Sequence, residues 1–366
     1  MVEKGPVNEA DALARKHPIA AFSLDALLAG AAKLRPERVA LAEAGPGVPS
    51  RSISYGEFDR QVRACAQHLL ELGLAPNERI LILSGARTAC VILATAALAA
   101  GLEPLLVPIG LTSAQLANMA ASARCAVIVG PTSYGELNLE QTLFETAAHS
   151  ETIRFVATLG PGQADGAIDF APERLRAAGA NRSLTAPEIR PRIGTLNGQR
   201  EPVFHEQSAL LAAALDLVGK AEIAAGAHLL STLAPASFAS LVTGPVASLL
   251  SGASLTLLGP FEAASFVTLL DRHGPSHCIV PAAILPDMAE AGLLRERVLA
   301  SAIAVVREET RITFSGDCPL IEVRARDEAS LSIESRARED SKAAPILSGD
   351  VLAPVPPLRQ AERGWR

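Results

Sequence analysis

The chain has 366 residues, 49% hydrophobic and 20% charged, with a formal net charge of -6, enough apolar material to bury a core of two or three domains, which excludes a disordered chain. The acidic balance gives no electrostatic footprint for nucleic acid or an anionic membrane surface. The five cysteines, Cys65, Cys90, Cys125, Cys278 and Cys318, are scattered without a Cys-x-x-Cys pair, which argues against a disulfide framework or zinc site and fits small buried hydrophobes in a reducing cytoplasm.

Glu3, Lys4, Glu9 and Asp11 precede any apolar run and Asp25 interrupts the first, so no secretory signal is expected. Between Glu222 and Glu262 no Asp, Glu, Lys or Arg occurs, but Pro235, Pro245, Gly252 and Pro260 divide that stretch into pieces shorter than the roughly 20 residues of a membrane span.

In chain order, a helix is expected over Leu24 to Leu34, a turn at Gly45-Pro46-Gly47 and a short strand at Ser52 to Tyr55. Phe58, Val62, Cys65, Ala66 and Leu69 recur at helical spacing, and Gly73 and Pro76 stop that helix. The apolar runs at Arg79 to Leu83, Leu105 to Pro108 and Ala126 to Gly130 alternate with helical segments at Thr88 to Ala100 and Ala114 to Ala123, the pattern of right-handed crossovers and a parallel sheet. A helix at Thr142 to Ala148 and a strand at Arg154 to Leu159 continue it, and the Gly-, Ala- and Pro-rich stretch 160–192 reads as a connector between subdomains. Helix and strand signals then alternate again through Val218, His228 to Leu233, Ser237 to Ser251, Ser254 to Leu258, Phe261 to His273 and His277 to Pro281. Beyond Ala300, Glu322 to Arg326 and Ser330 to Glu334 alternate with period two around an acidic turn, a half-exposed hairpin.

One stretch carries a candidate for chemistry. In Ile193-Gly194-Thr195-Leu196-Asn197-Gly198-Gln199-Arg200-Glu201-Pro202-Val203-Phe204-His205, two glycines bracket polar residues, a cation follows, and an apolar helix begins at Ala209. Free glycine amides, a strand-to-helix junction and a positive side chain are what a phosphate needs; the alternative is a glycine-containing surface loop. His273 and His277 are parted by Gly274-Pro275, so no metal site is expected there, and no Gly-x-Ser-x-Gly elbow suggests a hydrolase.

The order of landmarks resembles the large N-terminal domain of the adenylate-forming superfamily, which includes acyl- and aryl-CoA synthetases, luciferase-like enzymes and peptide-synthetase adenylation domains. Ser54-Tyr55-Gly56-Glu57-Phe58-Asp59 is similar to the family's Thr-Tyr-x-Glu-Leu-Asp, and Leu72-Gly73-Leu74-Ala75-Pro76-Asn77-Glu78-Arg79-Ile80 to its Leu-Gly-Leu-x-Pro-Gly-Asp-Arg-Val. Ala100 to Pro108, Leu249 to Leu255 and His277 to Pro281 resemble further family segments in the same order. The resemblance implies two parallel-sheet α/β subdomains, residues 1–185 and 186–305, followed by a β-rich remnant and tail, 306–366, with the family's mobile lid domain absent.

It also assigns 193–205 to the family's phosphate loop, Thr-Ser-Gly-Thr-Thr-Gly-x-Pro-Lys-Gly followed by a histidine. Gly194, Thr195, Asn197, Gly198 and Arg200 become the candidate nucleotide contacts, with Arg200 nearest the missing lysine and Glu201 opposing a triphosphate. The family's aromatic-Gly-x-Thr-Glu motif, which supplies a magnesium-binding glutamate, has no counterpart between Pro281 and Glu322. Asp350, in Ser348-Gly349-Asp350, is the candidate for ribose hydroxyls, or else a simple Gly-Asp turn. Phe238, Val242 and Pro281 are candidate acyl-pocket residues, or else ordinary core.

The resemblance implies ATP and magnesium, with CoA, as cofactors. It implies a carboxylic acid or acyl group as ligand, and a separate lid domain or carrier protein as partner; a homodimer stays open. Two readings follow: an acid-adenylating, CoA-ligase-like protein with eroded ATP motifs that does not adenylate alone, or a pseudoenzyme that keeps the fold for ligand binding or protein interaction.

Overall fold

The computed structural model describes residues 22–46, 48–160, 162–175, 190–306, 310–326, 328, 330–336 and 345–348. The first helix, α1, covers Leu24–Leu34 as the periodicity predicts. It leads into a hairpin of β1 (Val39–Gly45) and β2 (Val48–Ser54), of which only the end was expected. Ser54 then caps α2 (Tyr55–Glu71) by accepting from the Glu57 amide.

A crossover series follows: β3 (Arg79–Ser84), α3 (Thr88–Ala99), β4 (Glu103–Pro108), α4 (Ser113–Ala123) and β5 (Cys125–Pro131). A small hairpin of β6 (Ser133–Tyr134) and β7 (Leu137–Asn138) precedes α5 (Glu140–Ala148), β8 (Phe155–Leu159) and β9 (Ile168–Asp169). Then come β10 (Ile193–Leu196), β11 (Pro202–His205), α6 (Gln207–Lys220) and β12 (His228–Ser231).

The helical run expected after Ser237 is present but interrupted. It comprises α7 (Phe238–Leu241), a π turn at Val242–Val246 and α8 (Ala247–Ser251), stopped by Gly252 at φ 75°. Pro245 lies inside the π turn; a proline has no amide to give and clashes with the preceding turn, and the wider turn accommodates it. The remaining elements are β13 (Ser254–Leu258), α9 (Ala263–His273), β14 (Ser276–Pro281), α10 (Leu285–Glu290), β15 (Leu299–Val306), β16 (Thr310–Thr313), β17 (Leu320–Arg326), β18 (Ser330–Arg336) and β19 (Pro345–Ser348).

A seven-stranded sheet runs in the order β11-β10-β4-β3-β5-β8-β9 and an eight-stranded sheet in the order β18-β17-β15-β14-β12-β13-β1-β2. Both are parallel inside; the eight-stranded sheet ends on antiparallel partners at both edges, β18 against β17 and β2 against β1, and the seven-stranded sheet on antiparallel β11 at one edge and parallel β9 at the other. Sheet membership cuts across the expected division at 185/186. The β10–β11 hairpin, from the second segment, edges the first sheet, whereas β1 and β2, from the first segment, extend the second. That boundary is one of sequence and not of sheet.

Helix α3 joins the two sheets. From Cys90 to Ala99 every side chain is buried, and the helix shares one apolar core with Ile82 and Val129 of the first sheet and Leu255 and Ile279 of the second. A helix apolar on all sides is stable only when covered on all sides. The Glu43 carboxylate of β1 accepts from the Thr88 amide and hydroxyl, both at 3.0 Å, so the second sheet caps the central helix. At the carboxyl ends of the strands the Ser84 hydroxyl donates to the Pro235 carbonyl across the sheets at 3.2 Å.

Candidate functional site

The expected strand-to-helix junction at 193–205 is corrected to a strand-to-strand hairpin. Ile193 pairs with His205 and Leu196 with Pro202, and helix α6 starts only after β11 has closed the edge of the sheet. Val203 and Phe204, a β-branched and an aromatic residue side by side, are the strand signal in this stretch.

The candidate residues separate by position. Gly194 and Thr195 lie within β10 and not in the turn. A Cβ on Gly194 would sit 2.8 Å from the Phe204 ring and 2.9 Å from Leu105 Cδ1, so this glycine serves close packing. Thr195 is fully buried, and its hydroxyl lies 2.8 Å from His205 Nε2. The His205 ring rests on Phe238 with centroids 4.7 Å apart. Burial pushes its imidazole down to about 4, which keeps it neutral at pH 7.

The turn itself, 197–201, is shorter than the family motif laid on it, and Asn197 closes it. Asn197 Oδ1 accepts from the amides of Gln199 at 3.0 Å and Glu201 at 2.8 Å, and the Asn197 carbonyl accepts from the Arg200 amide at 2.9 Å. The Asn197 amide in turn donates to the Glu201 carbonyl at 3.0 Å. This is an Asx turn, in which the amides that would face a phosphate are used internally. Arg200 adopts the left-handed region at φ 63° and is exposed, and the Glu201 carboxylate beside it accepts from Asn197 Nδ2 at 3.2 Å. Gly198 has no positive φ and open space around its Cβ position, so nothing there requires glycine.

The hairpin is anchored from its base. Glu103, at the start of β4, is 4% exposed and lies between two arginines: Arg192 Nε donates at 2.7 Å and Arg79 Nε at 3.0 Å. Burial alone would raise its carboxyl, but the hydrogen bonds and charges of Arg192 and Arg79 outweigh that and hold it below the usual carboxylate range. The two guanidinium groups also lie over the Phe204 ring, at 4.1 Å for Arg79 and 5.4 Å for Arg192. This cluster was missed in the sequence, although a lone glutamate opening a fully apolar strand is a signal, since a buried charge needs a partner.

Phe238 and Val242 are 1% and 0% exposed and belong to the shared core, one helical turn apart, whereas Pro281 lies partly buried at the carboxyl end of β14. Asp350 lies outside the described residues. Among the described residues no helix is long and apolar enough to cross a membrane.

Residues 28–186 match the family model described as AMP-binding enzyme. A curated relative, salicyl-AMP ligase/salicyl-S-ArCP synthetase of Mycobacterium tuberculosis, is 32% identical over 144 residues, which is 38% of this chain and 25% of the relative. Over residues 28–186 the chain is thus similar in sequence to AMP-binding enzymes. Solved structures with the same fold include apo MbtA of Mycobacterium smegmatis, with a TM-score of 0.74 and 18% identity over 96% of this chain and 66% of that one. Acetoacetyl-CoA synthetase of Streptomyces lividans superposes with a TM-score of 0.71 and 17% identity over 90% of this chain and 55% of that one. The chain therefore spans a quarter of the curated relative it matches and about half to two thirds of these larger enzymes. The family-model match covers mainly the first sheet and α3 and stops short of the β10–β11 hairpin, so the resemblance there is of fold and order alone.

Proposed function

We propose that this chain belongs to the adenylate-forming superfamily and is an acyl- or aryl-acid ligase-like protein whose ATP loop is eroded and which does not adenylate an acid by itself. The observation that carries the reading is the Asn197-closed turn. Adenylation consists mainly of positioning a triphosphate and neutralising its charge, and this turn offers one exposed arginine, an adjacent glutamate and amides already paired within it. These residues do not fit a triphosphate with its magnesium.

What the reading retains is a carboxylic-acid or acyl ligand near Phe238, Val242 and Pro281, with Asp350 as the residue for a ribose if a nucleotide fragment binds. CoA or a carrier protein would act as acceptor with a lid domain or partner completing the enzyme, in a reducing cytoplasm and with a homodimer allowed. The second reading is a pseudoenzyme using the fold to hold an acid or a protein partner. The turn favours it, because the amides of Asn197, Gln199, Arg200 and Glu201 are already paired within it.

Pyrophosphate exchange over a panel of aryl and acyl acids, beginning with salicylate, tests both, alongside thermal-shift titration with ATP-magnesium. The expected result is no exchange by the purified chain and no ATP shift, with stabilisation by an acid. Exchange by the chain alone overturns the proposal; stabilisation by a partner protein but by no acid selects the second reading.

A further inference from the structure

A single side chain on a surface hairpin also crosses the seam between the two sheets. After β5 the chain makes the β6–β7 hairpin, whose two-residue turn has Gly135 at φ 59°, a left-handed conformation that favours glycine. Ser133, Gly135, Glu136, Leu137 and Asn138 are exposed, and Tyr134 alone of residues 133–138 is not. Its ring enters between the exits of β3 and β13, one strand from each sheet. A Cβ on Gly85 would sit 2.5 Å from Tyr134 Cε2, and one on Gly259 would fall on the Tyr134 hydroxyl, so the ring fits where both exits lack a side chain. The Ala86 amide donates to that hydroxyl at 3.3 Å, and Gly135 lies against Pro260.

The hairpin has little else to hold it. Each strand has two residues, and they pair with each other in a sheet of their own. A two-stranded ribbon is marginal in water without further packing, so this one depends on Tyr134 and on its base, where the Leu139 amide donates to the Thr132 carbonyl at 2.8 Å. Burial pushes the Tyr134 phenol above its ordinary value, so it stays neutral at physiological pH and acid or mild base does not release it. Beside the ring, the Arg87 guanidinium lies 5.6 Å from its centroid and 3.9 Å from the Glu43 carboxylate, the group that caps α3.

We propose that residues 132–139 form a strap fastened across the seam by Tyr134, which opens while both sheets remain folded. A segment held by few buried contacts opens at a lower free energy than the sheets beneath it. Opening uncovers the carboxyl ends of β3 and β13 together, the side of an open α/β sheet that receives ligands, and leaves Arg87 beside Glu43 without its aromatic cover. A molecule that enters this seam binds in proportion to the open fraction. The strap goes beyond the acid-ligand reading and stands without it, because it follows from how the hairpin is fastened.

Native-state hydrogen exchange resolved to single amides tests this, first on the wild-type chain. The expected result is one shared protection factor for the amides of Ala86, Leu139 and the hairpin, about a hundredfold or more below that of Leu81 in β3 and Leu229 in β12. Hairpin amides that exchange only together with Leu81 overturn the strap, whatever the variants do. Tyr134→Ala should then abolish the remaining protection of Ala86 and the hairpin while Leu81 and Leu229 stay protected. Tyr134→Phe, which keeps the ring and removes the acceptor, should free Ala86 and largely spare the hairpin. Leu137→Ala, at the exposed tip, should change neither. Unchanged hairpin protection in Tyr134→Ala, or an equal loss in Leu137→Ala, overturns Tyr134 as the fastening. If Tyr134→Ala does not fold, Tyr134→Phe decides, and retained protection of Ala86 there overturns the contact.

Discussion

Two hairpins edge the two sheets, and they are built on the same plan up to their tips. At the base of the β10–β11 hairpin, the buried Glu103 of the neighbouring β4 is gripped by Arg79 of β3 and by Arg192, just before β10. In the β17–β18 hairpin a fully buried Glu322 lies between Arg324 at 2.6 Å and Arg336 at 2.9 Å. The tips diverge. The first tip faces water and satisfies its amides through Asn197, whereas the second turns a glutamate inward against a distant helix. Anchoring a hairpin thus leaves the chemistry of its tip undetermined: one tip pairs its amides through Asn197, and the other carries a carboxylate that accepts from the Phe238 amide.

The anchors give the largest expected effects. Removing one partner of a buried ionic cluster leaves the rest uncompensated, so Glu322→Ala should cost about 3 kcal/mol in chemical denaturation. Glu103→Ala should cost less, about 2 kcal/mol, because its arginines are more exposed to water. A reversal of that order would break the shared plan.

Acid should destabilise the fold next. His205 and His228 are both pushed down to about 4, His205 by burial and His228 by burial first and then the nearby His273 and His277. In the unfolded chain they take up protons near 6.5, so their contribution is full above that pH and is lost as pH falls towards 4. Each adds a slope of up to about 1.4 kcal/mol per pH unit. His228 sits 2.8 Å from the hydroxyls of both Ser276 and Thr256. Thermal melts of His228→Asn should show a shallower fall over this window than the wild type.

The smallest effects concern the exposed tip. Asn197→Ala should cost about 1 kcal/mol through loss of the Asx turn. Gly198→Ala should be neutral or stabilising by up to about 1 kcal/mol, since no contact or positive φ opposes it. Gly194→Ala, which meets Phe204 and Leu105, should instead destabilise, and matching melts for the two glycine variants would contradict their assigned roles.

Most of the fold could be read from periodicity. The Leu24–Leu34 helix, the parallel strands β3, β4 and β5 and the β17–β18 hairpin lie where apolar spacing puts them. Strands β1 and β15, Val-Ala-Leu-Ala-Glu-Ala-Gly and Leu-Ala-Ser-Ala-Ile-Ala-Val-Val, were not anticipated, because alternating alanines give little contrast between the faces. The candidate site was harder. Its glycines drew attention, yet the residue that decides the turn is Asn197, and the cluster that fixes the hairpin gathers Arg79, Glu103 and Arg192 from distant parts of the chain. Glu328 belongs to an acidic turn that composition alone places in water.

The fully buried α3 sets the order in which this protein can be made. Emerging from the ribosome with its capping strand β1, it has no polar face to present to water while it waits for β13, whose Leu255 pairs with Leu41 of β1. Sheet closure must therefore follow synthesis of most of the chain, a high contact order that favours slow folding and transient exposure of sticky surface. A fragment ending before β13 should consequently be chaperone-bound or insoluble, and the two sheets should melt together as one cooperative unit.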